Sequence, residues 1–91
     1  MRLRWTLSAA ADLEGIYNYL QLHAPLLAHS TVMEIYSSVR SLKKFPHQGR
    51  PGVEAGTREL LHDRLPYIVA YRVKEDAIEL LHIWHPAQDR P

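Results

Sequence analysis

The sequence predicts a single α+β domain in which an antiparallel pair of helices covers one face of a small antiparallel sheet. Three patterns indicate this: polar and apolar residues alternate near the N-terminus, residues 8–45 carry two apolar stripes at helical spacing, and residues 67–85 contain two β-branched and aromatic runs. A chain of 91 residues has room for one hydrophobic core, so residues 1–91 are expected to form one domain.

The first two predicted elements are a strand and a helix. Residues 2–7 alternate in polarity, which predicts a short strand with one buried face. Ser8 is the expected N-cap of a helix over about residues 8–23, because its hydroxyl can accept a hydrogen bond from a first-turn amide. Gly15 either weakens this helix by up to about 1 kcal/mol or marks the close approach of another backbone. The apolar stripe of this helix contains Leu13, Ile16, Tyr17, Leu20 and Ala24.

A second helix follows at once. Pro25 suits its first turn, Lys43 and Lys44 suit its last turn, and Pro46 ends it. Its apolar stripe contains Ala28, Val32, Ile35, Val39 and Leu42. Two adjacent helices with one apolar stripe each predict an αα-hairpin that covers a sheet.

The C-terminal half contains a loop and three further strands. Glycine and proline indicate a loop over residues 47–57, and residues 58–62 form a weak strand candidate. Residues 67–73 and 78–85 are strong strand candidates, and the short segment 74–77 predicts a hairpin between them. The predicted order is therefore β-α-α-β-β-β, with the last two strands in the interior of the sheet.

Composition excludes several functional classes. Eleven basic residues nearly balance ten acidic ones, so any contact with nucleic acid has to be local. No cysteine is present, no apolar stretch is long enough to span a membrane, and no signal peptide is evident, so we expect a cytoplasmic protein. We expect no cofactor and no metal, because His82 and His85 would point to opposite faces of a strand.

Several short stretches occur together in a specific order. They are Trp5, Ala10-x-Asp12-Leu13-x-x-Ile16-x-x-Tyr19, Leu42-x-x-Phe45-Pro46, Gly49-Arg50-Pro51-Gly52, Gly56-Thr57-Arg58-Glu59-Leu60, Pro66-Tyr67-Ile68-Val69-x-Tyr71-Arg72-Val73 and Ile83-Trp84-His85-x-x-x-Asp89. In this order the chain resembles the RelE/ParE superfamily of toxins from type II toxin–antitoxin systems. The resemblance implies a growth-inhibiting protein of the kind that stabilises plasmids, silenced by a cognate antitoxin that folds on binding.

The same resemblance leaves three functions open. RelE-type toxins cleave mRNA on the ribosome, whereas ParE-type toxins bind DNA gyrase and are not nucleases. A third class is a relative that binds an antitoxin but is not toxic. Fold alone does not choose between them.

The residues favour the ParE-like branch. Ribosome-dependent nucleases place an arginine where this chain has Ile68, and the closest RelE-like ones add a basic residue in the region that here is His85-Pro86-Ala87-Gln88. An aliphatic side chain cannot stabilise the charge of a phosphorane. If the chain is nevertheless a nuclease, the candidate catalytic residues are Arg58, Arg72 and His85.

Whether these candidates meet depends on the hairpin register. A two-residue loop at 75–76 places Arg72 opposite Glu79 and on the same side as His85. A three-residue loop places Arg72 on the side of His82 instead. A structural ion pair between Arg72 and Glu79 is the competing interpretation of that arginine.

Overall fold

The chain forms one strand, a helical hairpin and four further strands, as a computed structural model of residues 1–86 describes them. The elements are β1 (Arg2–Trp5), α1 (Leu7–His23), α2 (Pro25–Ser41), β2 (Arg50–Pro51), β3 (Arg58–Leu61), β4 (Ile68–Val73) and β5 (Ala77–Trp84). The predicted α+β class and element order are confirmed, with the two-residue β2 added inside the predicted loop. Ala87, Gln88 and Asp89, which entered the sequence interpretation, lie outside the described residues.

The five strands form one sheet in the order β1-β5-β4-β3-β2. β4 and β5 are interior strands, as predicted. All neighbours are antiparallel except β1, which runs parallel to β5 with Leu3 opposite Ile78 and Trp5 opposite Leu80. The sheet is therefore mixed and not purely antiparallel. No tight turn joins β1 to β5, so local turn chemistry could not indicate their relative direction.

The start of α1 is tied to the sheet by Thr6. Its hydroxyl oxygen accepts a hydrogen bond from the Ala9 amide at 3.2 Å and donates one to the Leu80 carbonyl at 2.7 Å. Thr6 is therefore the N-cap, one residue inside the predicted strand, and the expectation for Ser8 is wrong. The hydroxyl of Thr6 satisfies a helix amide and a strand carbonyl together, whereas Ser8 already lies within the helix.

The helices contribute unequally to the core. α2 buries most of the predicted stripe, namely Ala28, Ile35, Val39 and Leu42, with Thr31 in place of the half-buried Val32. In α1 only Ala9 is fully buried, and Leu13 and Ile16 are half-buried. No atom outside the helix backbone lies within 4 Å of a β-carbon built on Gly15, so this glycine does not mark a close approach.

The helical hairpin covers one of the two faces of the sheet. Val69, Tyr71, Ile78, Leu80 and Ile83 belong to the core cluster beneath the hairpin. Because side chains alternate along a strand, Ile68 and Trp84 point to the opposite face, where they are nevertheless only 7% and 6% exposed. Within residues 1–86 no helix is both long and apolar enough to cross a membrane.

Candidate functional site

Arg58 lies on β3 and holds the loop that follows α2. Its Nη1 donates hydrogen bonds to the carbonyls of Gly49, at 2.6 Å, and His47, at 3.2 Å. The neighbouring Glu59 is buried and accepts hydrogen bonds from Arg50 Nε and Nη2, at 3.1 and 2.9 Å. Neutral carbonyls do not cancel a charge, so Arg58 remains a cation with its guanidinium fixed against this loop.

Tyr71 on β4 also holds the loop that follows α2. Its buried hydroxyl accepts a hydrogen bond from the Gly49 amide at 2.9 Å and donates one to the Pro46 carbonyl at 2.8 Å. Burial raises the pKa of this phenol above its usual value, although the Gly49 hydrogen bond and the charge of Arg58 oppose the rise. The loop backbone over residues 46–49 is therefore held at three carbonyls and one amide.

Arg72 occupies the register expected for a two-residue loop. Val73 lies opposite Ile78 and Arg72 opposite Glu79. The ion pair predicted between Arg72 and Glu79 does not form: the Glu79 carboxylate lies 3.4 Å from Arg4 and 3.9 Å from Lys74 instead. These competing cations approach from β1 and from the hairpin turn, and the parallel pairing of β1 is what brings Arg4 beside Glu79.

A β-bulge changes which residues share a face with Arg72. Tyr71 pairs with Leu80 but Ala70 pairs with His82, so Leu81 is an extra residue in β5. Beyond the bulge the alternation is reversed. His82 therefore lies on the face of Arg72, whereas His85 lies on the other face, with its ring edge-on to Tyr67 at a centroid distance of 5.8 Å.

The three nuclease candidates are therefore not assembled into one site. Arg58 pairs with Tyr71 and therefore shares its sheet face. Arg72 follows Tyr71 in β4 and points to the opposite face. His85 packs on Tyr67, which is four residues along the strand from Tyr71 and hence roughly 13 Å away. The bulge, which has no signal in the sequence, is responsible for separating Arg72 from His85.

A contact between an aspartate and a histidine near the C-terminal end of β5 was not predicted. Asp12 Oδ2 accepts a hydrogen bond from the Ile83 amide at 2.9 Å and lies 3.4 Å from His82 Nδ1. The His82 side chain is 36% exposed, and its buried Nδ1 has no hydrogen-bond partner among residues 1–86. Asp12 belongs to the Ala10-x-Asp12-Leu13 stretch, but the separation of 70 residues left no local signal for its partner.

An open apolar groove of about 480 Å³ lies where β1 meets the helical hairpin. The Trp5 and Tyr36 rings stack in it with centroids 6.1 Å apart and planes inclined by 14°. Its walls are made of Trp5, Ala10, Leu13, Glu14, Tyr17, Val32 and Tyr36. Further apolar side chains are exposed near the helical turn, including Leu22 and Leu26, the latter 96% exposed. The helices therefore present an uncovered apolar groove and several further exposed apolar side chains.

Comparisons with known proteins agree with this architecture. The family model for the ParE toxin of the type II toxin–antitoxin system parDE matches residues 3–90. A relative from Sinorhizobium fredii, named putative toxin Y4kP, is 39% identical over 90 residues, covering 99% of this chain and 93% of the relative. The protein named toxin RelE2 from Caulobacter vibrioides is 32% identical over 84 residues, with coverages of 92% and 93%.

The fold is also similar to a solved structure. A chain from the chromosomal ParDE toxin–antitoxin system of P. aeruginosa superposes with a TM-score of 0.86 at 36% sequence identity. The similarity covers 93% of this chain and 95% of that one. The chain belongs to the ParE toxin family of type II toxin–antitoxin systems.

Proposed function

We propose that this toxin arrests growth by binding DNA gyrase and blocking supercoiling, without cleaving RNA. Membership of the ParE family supports this, because ParE-type toxins are the superfamily members that act on gyrase. The observation that carries the proposal is the dispersal of Arg58, Arg72 and His85 over two sheet faces and two ends of β4. RNA cleavage needs a base, an acid and cations around one phosphate, and these residues do not surround one.

A second candidate function, mRNA cleavage, is favoured by one observation. The bulge puts half-exposed His82 on the face of Arg72. His82 lies opposite Ala70, two residues from Arg72 along β4, which corresponds to a backbone separation of roughly 7 Å. Asp12 beside His82 could orient the imidazole as a general base, and Arg72 could bind a phosphate. This pair still lacks a second acid–base group, which is why we place it second.

The two functions are separated by assays on the full-length chain freed of antitoxin. We expect the chain to stop gyrase from supercoiling relaxed plasmid while ribosome-bound mRNA stays intact. The His82→Gln variant should inhibit gyrase as well as the parent does, because no chemistry is required. Cleaved mRNA that becomes intact with His82→Gln would instead establish the nuclease, and inactivity in both assays would mean that the chain binds antitoxin without being toxic.

The partner that silences the toxin is its cognate antitoxin, and we propose that this antitoxin covers the helical hairpin. Two surfaces could in principle receive the antitoxin, namely the second sheet face and the outer grooves of the helices. Ile68 and Trp84 on the second face are buried, whereas Tyr17, Tyr36 and the residues around Leu26 are exposed. A segment that folds on binding can place an apolar helix face in the groove beside Trp5.

A further inference from the structure

A cluster of cations lies at the C-terminal end of α2, away from the apolar groove. Arg40 lies in the last turn of α2, Lys43 and Lys44 lie in the turn that follows it, and all three are exposed. Within residues 1–86 none of them forms an ion pair. Between Glu34 and Glu54 the sequence contains no acidic residue.

A fourth cation, which comes from the sheet, contacts the loop that follows these residues in the chain. Arg58 on β3 is fixed to the carbonyls of His47 and Gly49, which follow Lys44 by only a few residues. The attraction of cations to the end of a helix accounts for Lys43 and Lys44 but not for a guanidinium that comes from another element. We call Arg40, Lys43, Lys44 and Arg58 the cationic platform.

The platform adjoins a loop that is held in place, and little negative charge balances its cations. The loop beneath it is held by the Tyr71 hydroxyl at Pro46 and Gly49, so its backbone is ordered before any ligand binds. Glu59, the nearest carboxylate along β3, is engaged by Arg50 at 2.9 Å. Four positive charges are therefore concentrated at one edge of a chain whose formal net charge is only +1.

We propose that the cationic platform binds the phosphate backbone of duplex DNA. Duplex DNA carries one charge per ~1.7 Å of helix axis, so even four cations can meet several phosphates at once. The surface is a helix end and a pinned loop, and it lies apart from the apolar groove, which is beside Trp5 at the opposite sheet edge. Exposed lysine and arginine side chains can make point contacts to phosphate oxygens, and contacts to phosphate and sugar make up half or more of protein–DNA hydrogen bonds.

The test is the salt dependence of binding to a short fluorescent duplex, measured by anisotropy with the full-length chain freed of antitoxin. Four neutralised phosphates predict a slope of log K against log salt of about −3.6. The triple variant Arg40→Gln, Lys43→Gln, Lys44→Gln should bind at least about tenfold more weakly at low salt, with a slope near −0.9. Arg58 is left in place because its side chain also holds the loop.

A control variant has the same net charge as the triple variant of the platform. The triple variant Arg2→Gln, Arg4→Gln, Lys74→Gln also loses three charges, but from the opposite sheet edge and the β4–β5 turn. It should retain the parent slope. An equal loss of affinity in both triple variants, no binding by the parent at low salt, or tighter binding to polyglutamate or single-stranded RNA than to the duplex would each overturn the proposal. The platform would bind DNA whether or not the chain inhibits gyrase, so the two proposals can fail separately.

Discussion

The hydroxyl of Tyr71 provides a direct test of how the loop beneath the cationic platform is held. Tyr71→Phe keeps the buried ring but leaves the Gly49 amide and the Pro46 carbonyl without their partner. We expect the free energy of unfolding to fall by about 1–3 kcal/mol, measured by urea denaturation. Tyr19→Phe is the control, because Tyr19 is exposed, and it should change stability by less than about 0.5 kcal/mol. Equal stability of Tyr71→Phe and the parent would mean that these hydrogen bonds contribute nothing.

The tyrosines also predict an alkaline loss of stability. Burial raises the pKa of Tyr71, and burial followed by the charge of Tyr19 raises the pKa of Tyr67. The folded state then binds these protons more tightly than the unfolded state, whose tyrosines titrate near 10.0. The stabilisation is complete below that pH and is lost as the pH rises through the folded values. Urea midpoints measured across this range should fall for the parent, and Tyr67→Phe with Tyr71→Phe should flatten the curve. A double variant that declines as steeply as the parent would place the titrating groups elsewhere.

The sequence predicted which residues are candidates for chemistry better than it predicted which of them lie close together. The sequence singled out Arg58, Arg72 and His85 by chemical type, yet their meeting depended on the register and the bulge at Leu81. The sequence left the register open between a two-residue and a three-residue loop, and the structure has the two-residue form. The contact between Asp12 and His82 forms only when α1 docks on β5, so no local pattern could indicate it. The bulge likewise has no signal in the local sequence.

At the scale of single elements, a glycine in α1 and a glycine in the loop after α2 should respond oppositely to alanine. A β-carbon on Gly15 meets nothing within 4 Å, so Gly15→Ala should raise the free energy of unfolding by up to about 1 kcal/mol. A β-carbon on Gly49 would lie 2.7 Å from Tyr71 Oη and 2.9 Å from the Glu59 carbonyl oxygen. Gly49→Ala should therefore destabilise the protein, and urea midpoints of the two variants compare them directly. Destabilisation by Gly15→Ala would imply a packing role that the fold does not provide.

The elements differed in how far the sequence could predict them. The helical hairpin was predictable because Pro25 and two apolar stripes act within each segment, although α2 ends at Ser41, five residues before Pro46. β2 was not, since two residues in a glycine- and proline-rich stretch have no strand pattern. The direction of β1 depends on the path of the whole chain, and the polarity of residues 2–5 is equally compatible with either orientation.

At the scale of the molecule, the exposed groove predicts that the antitoxin acts as a stabilising ligand. Any partner that binds only the folded state adds about 2.7 kcal/mol at a hundredfold excess over its Kd, which for a domain of this size raises Tm by roughly 10–20 °C. Tyr17→Ser should reduce this increase, because Tyr17 lines the groove, while changing the Tm of the free chain little. Leu22→Ser serves as the control, because it removes an exposed apolar side chain of the same helix that does not line the groove. If scanning calorimetry gave the same increase for Tyr17→Ser as for the parent, the antitoxin would have to bind elsewhere, and the uncovered apolar surface of α1 and α2 would need another partner.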